Sequence, residues 1–237
     1  MWKHPTLTGL VCLLLGALVL PAGPAQAGDT GEQIVLKSCA ECHAVKKPDD
    51  EFLTIDERMN RKGPPLYYAG QKYRAEWLKK WLKKPERITP GGVFFANATE
   101  VTDDGDEIVD TKLSAHAPLG REEAEEVADY LMTLRPFPER TDKEEFKPGK
   151  LMRVLAEKDF RSFKGCAACH RDAPDFGGVS GPELYTAFER LQPEYMISYT
   201  RNPTLWEPRS LMPNRHLPDE GINKLVNYLK MIAEEQK

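Results

Sequence analysis

The chain has little of what would lock it or hold it in a membrane. Of its 5 cysteines in 237 residues, Cys12 lies in an N-terminal apolar run and the rest fall in two five-residue segments. None is left over for a framework of structural disulfides. The apolar run Leu7–Leu20 has 14 residues, short of the roughly 18–20 that span a bilayer, and no other stretch could cross one. Positive charge is not in excess either: 33 Lys and Arg stand against 37 Asp and Glu, a formal balance of −4. That balance excludes nucleic acid as a plausible partner.

What the N-terminus does have is an order. Lys3 and His4 precede Leu7–Leu20, and Pro21 to Ala27 closes on Ala25-Gln26-Ala27. This is the layout of a secretory leader with a small-residue cleavage site, so residues 1–27 are expected to be removed after export, Ala27 last. An uncleaved anchor is the other reading. Cys12 as a lipid-bearing residue is disfavoured, because bulky Val11 precedes it and it sits inside the apolar core of the leader.

The remaining cysteines stand in Cys39-Ala40-Glu41-Cys42-His43 and Cys166-Ala167-Ala168-Cys169-His170. C-x-x-C-H is the c-type haem attachment sequence, and the spacing has a chemical reason. Two thiols three positions apart can each add across one vinyl group, and the histidine after the second reaches over the ring to ligate iron. Redox dithiols and zinc half-sites do not require a histidine directly after the pair. The expected cofactors are therefore two covalent haem c groups, bound through Cys39 and Cys42, and through Cys166 and Cys169, with His43 and His170 on the irons. Attachment outside the cytoplasm agrees with the leader, and the bacterial periplasm is the expected compartment.

A repeat larger than the pentapeptide surrounds each one. Gly63-Pro64-Pro65-Leu66-Tyr67 answers Gly181-Pro182-Glu183-Leu184-Tyr185 at an offset of 118, which also carries Glu76 to Glu194, Trp77 to Tyr195, Leu78 to Met196, Trp81 to Tyr199 and Pro85 to Pro203. Such spacing marks the inward stripe of a short helix closed by proline. The copies end on amphipathic helices, Glu122–Leu134 and Glu220–Ile232, offset by 98. Val127, Tyr130, Leu131 and Leu134 share one face of the first, and Leu225, Tyr228, Leu229 and Ile232 one face of the second. Glu122, Glu123, Glu125 and Glu126 load the first helix's N-terminal turns, where its dipole favours negative charge. Further helical patterns precede the pentapeptides at Gly31–Ser38 and Leu151–Lys158.

In this order of helix, attachment motif, Gly-Pro-x-Leu loop, middle helix, ligand loop and terminal helix, the chain resembles the class I cytochrome c family twice over. The resemblance implies an all-α fold of tandem cytochrome c-like domains, each wrapped around a covalently attached haem, over 28–138 and 149–237. Arg135-Pro136-Phe137-Pro138 breaks the first terminal helix, and 139–148 reads as a charged linker.

In that family the second axial ligand is usually a methionine before the terminal helix, and Met212 in Ser210-Leu211-Met212-Pro213-Asn214 stands at that place. The other reading makes Met212 a core residue and His216 the ligand. The first copy departs from the pattern. It has no methionine between Pro85 and its terminal helix, and the offset of 98 puts Ser114 where Met212 stands. His116 lies two residues on, and bis-histidine coordination is expected there. An open or water-bound iron, or Met59 or Lys112 as ligand, are the other readings. Imidazole in place of thioether lowers the potential, other things equal, so electrons are expected to enter at the first haem and leave from the second.

Other features carry less. The acidic run Asp103–Glu107 lacks EF-hand spacing and reads as a hairpin turn at Asp104-Gly105. Asn97-Ala98-Thr99 matches a glycosylation acceptor, which has almost no weight if the chain is bacterial, as the expected periplasmic compartment implies. Lys72–Lys84 is basic with interleaved aromatics; the rings fit the inward stripe, which leaves the lysines as a solvated face or a docking patch for an acidic redox partner. Together these residues predict a periplasmic di-haem electron carrier between a donor oxidoreductase and an acceptor. The alternatives are a peroxidase-like di-haem enzyme and a cytochrome subunit of a larger oxidoreductase.

Overall fold

The structure, a computed structural model, describes residues 1–2, 30–48, 54–103 and 105–236. The expected leader, with Cys12 and Ala27, therefore lies almost wholly outside the described residues, as does Asp104 of the expected turn. No helix among the described residues is long and apolar enough to cross a membrane.

The first half opens with α1 (Gly31–Ile34), started by a capping box. The Thr30 hydroxyl accepts from the Gln33 amide, and the Gln33 side chain accepts from the Thr30 amide at 2.9 Å, which satisfies two donors that a helix start leaves open. The helix winds directly into a π-helical turn, Val35–Cys39, that delivers the first pentapeptide. Then come α2 (Ile55–Asn60), α3 (Ala69–Lys72), α4 (Ala75–Lys83) and the terminal helix α5 (Arg121–Thr133). Helix α1 lies across α5 so closely that a Cβ on Gly31 would sit 1.9 Å from the Glu126 carbonyl oxygen. Only glycine permits that crossing. Helix α5 buries Ala124, Val127, Ala128 and Leu131.

The second half runs through α6 (Pro138–Thr141), α7 (Arg153–Lys158), α8 (Ala187–Arg190), α9 (Pro193–Arg201), α10 (Pro203–Trp206) and α11 (Asp219–Glu234). Helix α7, like α1, passes into a π-helical turn, Asp159–Phe163, just before its pentapeptide. It packs on α11, where the Phe160 and Tyr228 rings stand 5.3 Å apart.

The fold is mostly helical, not wholly so. Strand β1 (Thr99–Thr102) pairs antiparallel with β2 (Gly105–Ile108), and β3 (Arg171–Ala173) with β4 (Phe176–Gly177). The first hairpin carries Asp106 and Glu107 of the acidic run. Val101 is exposed and the residues around it are mostly polar, so no alternation of apolar residues marks the hairpin as strand.

The halves meet about their repeat. Tyr73 and Leu191, partners at the offset of 118, form an antiparallel bridge. The Arg74 amide donates to the Arg190 carbonyl at 2.9 Å, and the Gln192 amide to the Lys72 carbonyl at 3.0 Å. These two bonds exchange under the same offset, which makes the seam locally two-fold. Beside it Tyr68, Tyr195 and Trp206 are almost fully buried, and the Trp206 ring lies 5.2 Å from Tyr68, 4.8 Å from Tyr195 and 6.0 Å from Phe137. The stretch read as a linker is packed along the second half: the two Glu144 carboxylate oxygens accept from Nε and Nη2 of Arg201, and the Lys147 carbonyl accepts from the side-chain amides of Asn223 and Asn227.

Candidate functional site

Both pentapeptides fold as one tight turn. The amides of Cys42 and His43 donate to the Cys39 carbonyl at 3.1 and 3.0 Å, and those of Cys169 and His170 to the Cys166 carbonyl at 3.2 and 3.1 Å. A turn of this kind puts residues three apart on one side. All four thiols are free, with Cys39 and Cys166 half-buried and Cys42 and Cys169 exposed. Burial, reinforced by Cys42, raises the Cys39 thiol above its ordinary value. Burial pushes Cys166 up to about 11, against the pull of Lys164 and Arg215.

Each motif histidine is held in the same way. His43 Nδ1 donates to the Pro64 carbonyl at 2.7 Å, and His170 Nδ1 to the Pro182 carbonyl at 2.7 Å. A carbonyl only accepts, so each ring carries its proton on Nδ1 and keeps the Nε2 lone pair for a metal. The glycine before each proline is required by the ring itself: a Cβ on Gly63 or Gly181 would lie 2.5 Å from Cε1 of His43 or His170. Burial lowers the pKa of both imidazoles. For His43 the proline carbonyl works against this, and the charges of His116 and Lys72 lower it further. For His170 the carbonyl opposes in the same way and Arg190 adds to the lowering.

His116, far along the chain, faces His43. The ring centroids are 6.1 Å apart with 54° between the planes. Two metal–imidazole bonds of about 2.0–2.1 Å, plus the reach from each nitrogen to its ring centre, come to roughly 6 Å. His116 Nδ1 donates to the Ala117 carbonyl at 2.8 Å, leaving its Nε2 available as well. Trp81 supports the ring from α4 at 4.8 Å and is itself fixed by an indole N–H bond to the Glu86 carbonyl at 2.9 Å. Of the other ligand readings, Lys112 is engaged with Glu100 at 3.2 Å. The backbone carbonyl of Met59 accepts from Asn97.

In the second half Met212 is half-buried on the loop 207–218, its amide donating to the Ser210 hydroxyl at 3.2 Å. His216 is exposed, with φ 49° and its amide on the Asn214 side chain at 2.8 Å, an Asx turn that favours the left-handed conformation there.

The two sites differ in nearby charge. Arg190, 3% exposed, binds the buried Glu183 carboxylate at 3.2 Å. At the matching positions the first half has Lys72 and Pro65, so the carboxylate is missing. The Lys72 ammonium lies instead over the rings of Tyr73, Tyr68 and Tyr195 at 5.1, 5.7 and 5.8 Å, a cation–π arrangement. Neither the proline carbonyls nor this asymmetry is visible in the motifs alone, although the repeated Gly-Pro pair marked the place.

The donor set therefore fits haem: paired free thiols, an oriented imidazole at each motif, and in the first half a second imidazole across a metal-sized gap. Residues 28–135 match the family model described as Cytochrome c. The match takes in the first pentapeptide, α1, α5 and His116, and it supports a c-type cytochrome, covalently bound haem c with its iron, and electron transfer. No curated protein and no solved structure matches the chain.

Proposed function

We propose that the protein is a di-haem electron-transfer cytochrome of the periplasm, passing electrons between a donor oxidoreductase and an acceptor. The observation that carries the reading is the duplicated histidine bond, His43 to Pro64 and His170 to Pro182, each 2.7 Å. A bond of that kind orients a ligating imidazole and raises its basicity. Finding it at both C-x-x-C-H sites supports a second cytochrome c domain over 149–237, beyond the matched residues. Cys39 and Cys42 would tether the first haem, Cys166 and Cys169 the second, with His43 and His170 on the irons.

The sixth ligands would be His116 and Met212. When bound, each haem supplies a one-electron iron couple; the chain holds it, sets its potential and limits access of other molecules to the metal. His116 makes the first centre the lower in potential and Met212 makes the second the higher, other things equal. Electrons then enter through the first half and leave through the second. The test is low-temperature electron paramagnetic resonance of the oxidised protein with a potentiometric titration. Two low-spin signals, with the His43 centre lower in potential, are expected. A high-spin signal in the wild type would point to an enzyme with an open iron, and a higher potential at the His43 centre would reverse the proposed order.

A further inference from the structure

We infer that Glu207 is a positioning residue through which the first half holds the second iron's methionine loop, an inference that rests on the reading of Met212 as a ligand. The Glu207 carboxylate lies at the root of the loop 207–218 and is held by two residues of the other half. Arg61 Nη1 donates to one oxygen at 2.7 Å and the Tyr68 hydroxyl to the other at 3.0 Å. The Arg61 and Glu207 side chains are only 16% and 12% exposed, and Tyr68 is fully buried. A charge-assisted bond so shielded is stronger than a surface ion pair.

From the carboxylate a short path leads to the ligand. The Glu207 carbonyl accepts from the Ser210 amide at 2.8 Å. The Ser210 hydroxyl, 3.2 Å from the Tyr199 hydroxyl, accepts from the Met212 amide at 3.2 Å. On the other side, Arg61 stands just before Gly63 and Pro64, the residues against the His43 ring. One run of the first half, residues 61–64, thus touches the His43 ring and the anchor of the Met212 loop. A neutral thioether on a loop stays bound to iron only while the loop is held, because irregular segments open most easily.

The test uses the holoprotein with both haems and reads carbon monoxide uptake by the reduced protein, together with hydrogen exchange at the Met212 amide. Met212→Ala serves as the spectral reference for an opened second centre. Arg61→Met is expected to open that centre to carbon monoxide and to speed Met212 exchange by about tenfold or more. Tyr68→Phe, which keeps the buried ring and removes only its hydroxyl, should give a smaller change in the same direction and decides the matter if Arg61→Met does not fold. Arg61→Lys should restore much of the wild-type behaviour. If Met212→Ala opens the centre while Arg61→Met and Tyr68→Phe leave uptake and exchange unchanged, the positioning role is overturned and the ligand reading stands. If Met212→Ala opens nothing, the ligand reading fails and the inference fails with it.

Discussion

The imidazoles of His43 and His116, 73 residues apart in the chain, face each other with ring centroids 6.1 Å apart. Each has its Nδ1 on a backbone carbonyl, so each keeps the lone pair of its remaining nitrogen for a metal. His116→Ala is therefore expected to convert the first centre from low-spin to high-spin and to let carbon monoxide bind it, while the second keeps its signal. His116→Met should raise the first centre's potential. Paramagnetic resonance and a redox titration of the two variants check both outcomes.

Gly63 and Gly181 lie flat against the histidine rings, and a Cβ at either would come within 2.5 Å of the ring. Gly63→Ala should perturb the first centre alone and Gly181→Ala the second alone. The overpacking is expected to cost about 1–3 kcal/mol each. Haem content per chain and the thermal midpoint of each variant report the effect.

Trp206, 1% exposed, packs against Tyr68 and Phe137 of the first half and donates its indole N–H to Ser198 at 3.0 Å. Trp206→Ala should destabilise the protein by about 3–5 kcal/mol. Because the ring is shared, the loss should be felt in both halves: the wild type is expected to unfold in one transition, and the variant at lower denaturant by optical probes of either centre.

Burial raises the Cys166 thiol to about 11 from an ordinary 9.0. The folded chain then holds its proton more tightly than the unfolded one. The associated stability is complete below pH 9 and is lost as pH rises toward 11. In haem-free protein the pH profile of Cys166 alkylation should have its midpoint near 11. A shift of this size means about 100-fold less thiolate than an ordinary thiol gives at neutral pH. An ordinary profile would mean the pentapeptide turn is open without haem.

The two C-x-x-C-H segments are legible in the sequence because the chemistry proposed for them ties thiols and imidazole to fixed spacing. The helices α5 and α11 were readable because one face of each must be apolar. His116 stood out only because a copy of the repeat lacked its methionine. Other relationships could not be read. The Pro64 and Pro182 carbonyls belong to the backbone and leave no side-chain signature beyond the repeated Gly-Pro. The seam between Tyr73 and Leu191 is made by main-chain bonds across 118 positions. Glu207 carries no mark in the sequence, because its partners Arg61 and Tyr68 lie about 140 positions away in the other half. The charged run after Phe137 read as a linker because its acids and lysines suit water, yet Glu144 and Lys147 spend their polar groups on the second half.

Whether both pentapeptides carry covalent haem is decided by the intact mass of protein made in a cytochrome-maturing host, measured after acid-acetone extraction removes any haem not covalently held. A gain of two haem groups is predicted, falling to one when Cys166 and Cys169 are both replaced by alanine. A wild-type gain of one group, or of none, would contradict attachment at both.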